Sequence, residues 1–197
     1  KTHGLHYFVH SIYPHLLKGY SAHKINENLS SIHSSGKGGI GFLNTYNCIK
    51  RASQKAKKQG HSVFTAKNPG KVGALRVYCP EIIKESQLII IAKNTAPTQG
   101  ILGHKKPLIG TNPICIGIPD SDFIIDLSTS TVATNSIRLK AKMDQNFQSK
   151  IGWDSDSNET SNPKDILEEG AFLSTFAEGP FWYKSFYLGL AIEFIGA

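Results

Sequence analysis

The segment from Pro107 to Ser130, PLIGTNPICIGIPDSDFIIDLSTS, constrains the fold more than any other part of the chain. It contains Gly-Thr-Asn-Pro at 110–113, residue types that favour turns and leave the regular backbone regions. Two short apolar runs follow, at 114–118 and 123–125, and a Pro-Asp-Ser-Asp turn separates them. Short β-branched and aromatic runs bounded by turn residues are typical of strands. The segment therefore predicts a turn, a strand, a second turn and a second strand.

Polar side chains follow the second of these runs. Asp126 closes the run, and hydroxyl side chains come directly after it at Ser128, Thr129 and Ser130. A carboxylate and hydroxyls at the end of a strand can hydrogen-bond sugar hydroxyls or phosphate oxygens. The same residues also suit a β-hairpin followed by a helix N-cap, in which the hydroxyls satisfy backbone groups. On these residues alone the hairpin with a cap is favoured, and a nucleotide contact is the alternative.

The spacing of these motifs resembles that of a known family. GTNPICIGIP followed by IIDLSTS is similar to the paired signatures of the malate/L-lactate dehydrogenase-like NAD(P)-dependent oxidoreductases. That family contains ureidoglycolate dehydrogenase, 2,3-diketogulonate reductase and piperideine-2-carboxylate reductase. The resemblance runs from His3 to the end of the chain and includes the Gly152-Trp153 loop. Family members are much longer at both ends, so we expect one domain over 1–197, complete or incomplete.

The resemblance implies an α/β fold with a mixed sheet and packed helices, which differs from the Rossmann fold. The chain contains no strand–GxGxxG–helix unit, which a Rossmann domain would need. The residues themselves predict strands near His61, Leu88, Ile114 and Phe123, and we expect these to form one sheet.

The resemblance also assigns residues to the cofactor, NAD or NADP. It places the strand end at Thr95 on the nicotinamide side, and a lysine at the start of the last helix near the phosphates. A lysine at a helix N-terminus adds a full charge to the helix dipole, which favours an anion. A lysine that covers the adjacent aromatic residues with its stem is the alternative. The implied cofactor-binding residues are Thr95, Gly110, Thr111, Asn112, Asp126, Ser128, Thr129, Ser130, Tyr183 and Lys184.

Two residues are the catalytic candidates that the resemblance implies. Thr2-His3-Gly4 is similar to the family's Ser-His-Gly, whose histidine is the acid/base. An imidazole suits that task because its ordinary pKa lies near neutrality. Lys71 stands where the family has its second catalytic histidine, and an unperturbed lysine is a poor base at neutral pH. The chain departs from the family again at Tyr7, in place of an arginine, and at Ser185, in place of a glycine.

Two functional hypotheses follow from this resemblance. The first is an oxidoreductase that transfers a hydride between a nicotinamide cofactor and a 2-hydroxy or 2-keto acid, with His3 handling the proton. The second is a family remnant that keeps the fold and at most nucleotide binding, because of the departures at 7, 71 and 185. The resemblance also implies a homodimer, for which the apolar helix at 186–195 is the candidate surface.

Composition supplies a third and weaker hypothesis. The formal net charge is +7, and the basic residues Lys50, Arg51, Lys55, Lys57 and Lys58 bunch together. Such a cluster suits nucleic acid, but no stacking aromatics or nucleic-acid motif accompany it, so a solvated helix face is favoured. No apolar run reaches the length of a membrane span and no signal peptide is visible, so we expect a cytoplasmic protein. The three cysteines lack the spacing of a metal site, and no metal is predicted.

Apolar periodicity predicts the remaining elements. It predicts helices over 1–20, with a kink or a break between two helices at Pro14, over 44–59 and over 131–143, and a last helix within 179–197. It predicts a strand over 61–66 and a buried strand over 88–92. The polar stretch 21–41 is interpreted as loop or weak strand.

Overall fold

A computed structural model describes residues 9, 13, 24–36, 41–104, 106–177 and 179–196. The strands are β1 (Lys24–Glu27), β2 (Ser31–Ser35), β3 (Val63–Lys67), β4 (Ile89–Ala92), β5 (Ile114–Gly117), β6 (Ile124–Leu127), β7 (Gly152–Trp153), β8 (Glu159–Thr160) and β9 (Phe172–Leu173). The α-helices are α1 (Gly41–Gln59), α2 (Pro80–Ile83), α3 (Thr134–Lys142) and α4 (Trp182–Gly196), and short 3-10 helices span Leu75–Tyr78, Asp165–Leu167 and Gly179–Phe181. The predicted helix over 1–20 lies outside the described residues.

The chain divides into two compact units. The N-terminal unit comprises the described part of His3–Ile89 together with Ile116–Ile124. The C-terminal unit comprises Ile90–Cys115 and the described part of Ile125–Ala197. The prediction of a single domain over 1–197 stays a prediction.

The N-terminal unit is built on a mixed sheet. β1 pairs with β2 antiparallel, and β2 pairs with β3 parallel, with Ile32 opposite Phe64. The apolar face of helix α1 packs against this sheet, and Ile32, Cys48 and Ala52 form a buried cluster. Cys48 and Ala52 lie four residues apart, which places them on one face of the helix. Burial raises the pKa of the Cys48 thiol above its usual range.

Helix α1 also carries the basic cluster, and acidic residues of the same unit neutralise much of it. Arg51 and Lys55 pair with Glu27, Lys57 pairs with Glu85, and Lys50 pairs with Glu81. The Glu81 carboxylate raises the pKa of the Lys50 ammonium. Because these ammonium and guanidinium groups already have carboxylate partners, the solvated-face interpretation is favoured over nucleic-acid binding.

Two further sheets follow. One has the order β4-β5-β6, and the other has the order β8-β7-β9, in which β7 pairs antiparallel with both neighbours. The expectation of one sheet was therefore wrong, because β3 pairs with β2 and belongs to a different sheet from β4, β5 and β6. Within the described ranges, none of the helices has the length and apolar character that crossing a bilayer needs.

Local predictions were right for the helices from residue 41 onward that are discussed next, and less so for the strands. The helices predicted over 44–59 and 131–143 appear as α1 and α3, and the last helix appears as α4. The polar stretch 21–41 contains two short strands, β1 and β2. The strand predicted at 88–92 appears as β4, but the prediction that it is buried was wrong, because Leu88 and Ile90 are 58% and 60% exposed. Alternate residues point to opposite faces, so one face of β4 lies open.

The sheet-and-helix core of the N-terminal unit yields a stability prediction. Ile32 is fully buried, and Ile32→Ala should lower the free energy of unfolding by about 2–5 kcal/mol through lost burial and a residual cavity. Leu29, which is 77% exposed, provides the control, and Leu29→Ala should change it by less than about 0.5 kcal/mol. Urea unfolding of both variants measures this difference. Equal losses for the two variants would contradict the packing described above.

Candidate functional site

The turn at 110–113 lies in the C-terminal unit just before β5. Ile109 precedes it and forms an antiparallel bridge with Gln99. Asn112 has a φ of +28°, on the left-handed side of the backbone map, where asparagine is tolerated better than most residues. Pro113 then leads the chain into the strand. The sequence predicted a turn here from its glycine, asparagine and proline, and the structure has a turn at these residues.

The Asn112 side chain is fully buried and joins three parts of the unit. Its Nδ2 donates hydrogen bonds to the Gly189 carbonyl at 2.9 Å and to Glu193 Oε2 at 2.7 Å, both on α4. Its Oδ1 accepts a hydrogen bond from the Thr95 backbone N–H at 3.0 Å. A buried amide is stable only when its polar atoms are satisfied. Asn112 therefore holds the turn against α4 and against the segment that follows β4.

Thr95 makes a second connection to the same turn. Its Oγ1 accepts a hydrogen bond from the Thr111 backbone N–H at 2.9 Å and lies 3.4 Å from Thr111 Oγ1. Both threonines are half-buried. The structure thus brings together Thr95, Thr111 and Asn112, three of the residues predicted to bind the cofactor.

Gln99 and Thr129 close the network from the other side. Gln99 is fully buried, and its Nε2 donates to the Gly110 carbonyl at 2.6 Å and to Thr129 Oγ1 at 2.9 Å. Thr129 donates to the Thr111 carbonyl through its backbone N–H at 2.9 Å and through its Oγ1 at 3.2 Å. Thr129, which the sequence resemblance predicted to contact the cofactor, is fully buried. Its hydroxyl is used inside the unit.

Two glycines let these segments approach each other closely. A Cβ on Gly110 would lie 2.5 Å from Asn112 Oδ1 and would also overlap Thr95. A Cβ on Gly189 would lie 2.8 Å from Ile109 Cδ1 and 2.9 Å from Thr129 Oγ1. The absence of a side chain at 189 is what allows α4 to pack directly on the turn.

The serines after β6 make local hydrogen bonds, and Asp126 is exposed. Ser128 Oγ lies 3.1 Å from Ser130 Oγ, and Ser130 Oγ donates to the Val132 carbonyl at 2.9 Å. Ser130 is buried and Ser128 is half-buried. Asp126, on β6, has its side chain at the surface. Of the residues predicted after the second apolar run, Asp126 and Ser128 are therefore accessible to a ligand.

The start of α4 carries Tyr183 and Lys184, both exposed. Lys184 Nζ lies 5.0 Å from the centroid of the Phe181 ring, and the Tyr183 ring packs edge-on against Tyr187 at 6.0 Å. The alternative interpretation of Lys184, a lysine beside an aromatic cluster, describes this arrangement. A surface ammonium in a weak cation–π contact can still move to an anion.

Ser185 is fully buried within the first turn of the same helix. Its Oγ donates to the Trp182 carbonyl at 3.0 Å and accepts from the Ala177 backbone N–H at 3.1 Å. The hydroxyl fastens the preceding loop to the helix and does not project into solvent. The serine at this departure from the family's glycine is thus accommodated inside the unit.

Of the two catalytic candidates, Lys71 lies among the described residues. Lys71 is exposed in the N-terminal unit, in the turn between β3 and the 3-10 helix Leu75–Tyr78. His3 and Tyr7 lie outside the described residues. All of the predicted cofactor-binding residues lie in the C-terminal unit. The catalytic assignments of His3 and Lys71 stay predictions.

Sequence reasoning missed two members of the network, Gln99 and Glu193. Glu193 Oε2 accepts hydrogen bonds from Asn112 Nδ2 and from the Gly110 backbone N–H. The Gly110 nitrogen lies 3.4 Å from Oε2. A lone carboxylate in the otherwise apolar second half of α4 was a usable signal, because such a group needs a partner when it is partly buried. Gln99 carried no such signal, since its partners lie 11 and 30 residues away in the chain.

Comparison with known proteins places the whole chain in one sequence family. A family model described as malate/L-lactate dehydrogenase matches residues 1–197. The chain is 30% identical over 130 residues to a malate/(S)-sulfolactate dehydrogenase of Methanothermus fervidus, which covers 65% of this chain and 38% of that protein. It is 24% identical over 159 residues to an L-sulfolactate dehydrogenase of Methanothermobacter thermautotrophicus, which covers 79% of this chain and 45% of that one.

Solved structures show the same fold. The malate dehydrogenase of Entamoeba histolytica superposes with a TM-score of 0.86 at 25% identity, over 98% of this chain and 57% of that one. The δ1-piperideine-2-carboxylate reductase of Pseudomonas syringae superposes with a TM-score of 0.83 at 21% identity, over all of this chain and 60% of that one. These likenesses confirm the predicted non-Rossmann α/β fold. The chain spans less than two thirds of the length of each of these four proteins.

The hydrogen-bond network predicts a large effect at Asn112. Asn112→Ala removes a buried amide that makes three hydrogen bonds, so the free energy of unfolding should fall by about 2–4 kcal/mol. Asn146→Ala, at an exposed asparagine of the same unit, is the control and should have little effect. Urea unfolding compares the two. Similar stability for both variants would show that the turn does not depend on the Asn112 side chain.

Proposed function

The chain belongs to the malate/L-lactate dehydrogenase family, and from this membership we propose that it acts as an NAD(P)-dependent oxidoreductase. The proposed reaction transfers a hydride between the nicotinamide and a 2-hydroxy or 2-keto acid. The names of the relatives support this class of substrate, since malate and sulfolactate are both 2-hydroxy acids.

One structural observation supports the cofactor assignment above all others. The turn at 110–112 is held by buried hydrogen bonds from Asn112, Gln99 and Thr129, so its backbone is fixed before any ligand arrives. A binding surface that is already ordered loses less conformational entropy when the ligand binds. In this proposal the buried members of the predicted set position the turn, and the exposed members contact the cofactor.

The accessible residues have the chemistry that a dinucleotide needs. Asp126 presents a carboxylate that can accept hydrogen bonds from ribose hydroxyls, and Ser128 adds a hydroxyl. Lys184, at the start of α4, supplies a positive charge for a phosphate. The half-buried hydroxyls of Thr95 and Thr111 would border the nicotinamide side. When bound, the cofactor supplies the hydride, and these residues orient it.

Proton transfer is assigned to His3 and Lys71. We assign the acid/base role to His3, because an imidazole can be charged or neutral near pH 7. Lys71 is the second catalytic candidate, in the place of the family's histidine. With an exposed ammonium in that place, the chain has a cation suited to the substrate's carboxylate as well as a proton donor.

The alternative is a family remnant without turnover. Lys71 favours it, because this lysine stands where the family has its second catalytic histidine. Ser185 weighs against it, because its hydroxyl is buried and makes hydrogen bonds to Trp182 and Ala177 inside the unit. Fluorescence titration of NADH and NADPH measures cofactor binding in either case. Consumption of NADH or NADPH with a panel of 2-keto acids then separates the enzyme from the remnant, since the remnant would bind without turnover.

Substitution of the two catalytic candidates gives the sharper test. His3→Ala should lower kcat by about a hundredfold or more, the usual contribution of a general acid, while cofactor affinity stays nearly unchanged. Lys71→His should raise activity, because it restores a group that titrates near neutrality. The matched controls are His61→Ala and Lys58→His, at exposed positions of the N-terminal unit. Full activity in His3→Ala would remove the catalytic assignment and leave the family assignment standing.

We also propose a homodimer that uses the apolar surface of α4. Tyr187, Phe194 and Ile195 are 61%, 73% and 75% exposed on this helix. Neighbouring large apolar side chains at a surface are typical of interaction sites. Most soluble oligomers are symmetric homo-oligomers, in which one such patch faces its own copy.

The dimer proposal predicts a change in mass in solution. Phe194→Glu combined with Ile195→Glu should convert a dimer into a monomer, because it would place charges in an apolar contact. Leu29→Glu introduces a charge at another exposed leucine, in the N-terminal unit, and should leave the mass unchanged. Light scattering at high protein concentration measures all three proteins. A monomeric unmodified chain would overturn the proposal.

A further inference from the structure

Glu193 carries a charge that the proposed function does not use. It is the acidic residue of α4, whose sequence otherwise contains one lysine and uncharged side chains. The Glu193 side chain is half-buried. Both groups that donate hydrogen bonds to its Oε2 are uncharged, namely the Asn112 amide at 2.7 Å and the Gly110 backbone N–H at 3.4 Å. The carboxylate is therefore held by dipoles and not by a cation.

Glu193 takes part in no ion pair within the part of the chain that the structure describes. The ion pairs found there use other acidic residues, which are Glu27, Glu81, Glu85, Asp144 and Glu159. Lys184, the basic residue of the same helix, lies nine residues earlier, which is about 13 Å along the helix axis. A half-buried charge without an ionic partner is unfavourable, so a cationic group placed nearby would stabilise it.

This negative charge lies directly behind the turn at 110–112. Glu193 Oε2 accepts from Asn112 Nδ2, and Asn112 Oδ1 accepts from the Thr95 backbone N–H at 3.0 Å. A single buried side chain therefore connects the carboxylate to Thr95. Hydrogen bonds in such a chain polarise one another, so the charge also acts on the Thr95 peptide through the Asn112 amide.

The last turn of α4 approaches the same segment by a second contact. A Cβ on Gly196 would lie 3.0 Å from the Asn94 backbone nitrogen, next to Thr95. The proposed function puts the hydroxyls of Thr95 and Thr111 on the nicotinamide side of the cofactor. Glu193 is therefore the negative charge adjacent to the groups that would border the nicotinamide.

The nicotinamide ring differs in charge between the two forms of the cofactor. The ring is a cation in NAD⁺ and NADP⁺, and it is neutral in NADH and NADPH. A nearby negative charge attracts only the cationic form. At an effective dielectric constant of about 20, one unit charge about 10 Å from another changes an affinity by roughly tenfold.

We propose that Glu193 is a specificity-determining residue that favours the oxidised form of the cofactor over the reduced form. This inference rests on the proposed function, because that function puts the nicotinamide beside Thr95. Glu193 acts in it through its charge. Its role differs from that of Asn112, whose hydrogen bonds position the turn for both forms of the cofactor alike.

Substitution of the charge alone tests this role. Glu193→Gln removes the charge and keeps an oxygen that can accept from Asn112. Isothermal titration calorimetry measures the affinities for NAD⁺, NADH, NADP⁺ and NADPH. The variant should lose roughly 5- to 20-fold in affinity for the oxidised cofactor, while its affinity for the reduced cofactor stays within about twofold. Glu169→Gln, at an exposed glutamate of the same unit, should leave these affinities unchanged.

A purely structural role of Glu193 predicts a different result. If the side chain only held the turn, Glu193→Gln would preserve the affinities for both forms or lower them by the same factor, and either outcome would overturn the proposal. Glu193→Asp keeps the charge on a shorter side chain. It should therefore keep the preference for the oxidised cofactor even where urea unfolding shows a lower free energy of unfolding.

The titrations also separate this inference from the proposed function. Binding of neither form to the unmodified chain would overturn both. Binding of both forms with an unchanged ratio of affinities in Glu193→Gln would overturn the inference and leave the proposed function standing. If Glu193→Gln fails to fold, the unmodified chain decides the question. Tighter binding of the reduced than of the oxidised cofactor would then count against the proposal, and the reverse order would support it.

Discussion

The buried side chain of Asn112 is the interaction on which the C-terminal unit depends. A carboxamide has two donor hydrogens and an acceptor oxygen, and each must find a partner once water is excluded. In this chain the partners are Thr95 on one side and Gly189 with Glu193 on the other. The position of α4 relative to the turn is therefore set by hydrogen bonds of fixed geometry and not by apolar contact alone.

This constraint explains why small residues recur around the turn. A side chain at 110 or 189 would displace the groups that Asn112 and Thr129 must reach. The same constraint divides the motif residues by role. The polar side-chain groups of Asn112 and Thr129 make hydrogen bonds inside the unit. Asp126 and Lys184 are at the surface. A sequence motif thus records the residues that build a binding surface together with those that would touch the ligand.

The N-terminal unit shows that a count of basic residues misleads when their ion pairs with acidic residues are not considered. The basic cluster on α1 and the net charge of +7 suggest a polyanion as partner. In the folded unit Glu27, Glu81 and Glu85 lie opposite those cations. Exposed ion pairs of this kind contribute little to stability, but they weaken the local field that would attract a phosphate backbone.

Local pattern by itself determined α1, α3 and α4, the turn at 110–113 and the hairpin after it, because helical period and turn residues act over a few neighbouring positions. The paired motifs determined the family as well. Only the tertiary structure decided that β3 joins β1 and β2, that one face of β4 lies open, and that Gln99 and Glu193 belong to the network. Those outcomes depend on partners that lie far away in the chain. A hydrogen bond between distant residues produces no local periodicity in the sequence, so it could not be predicted from local pattern.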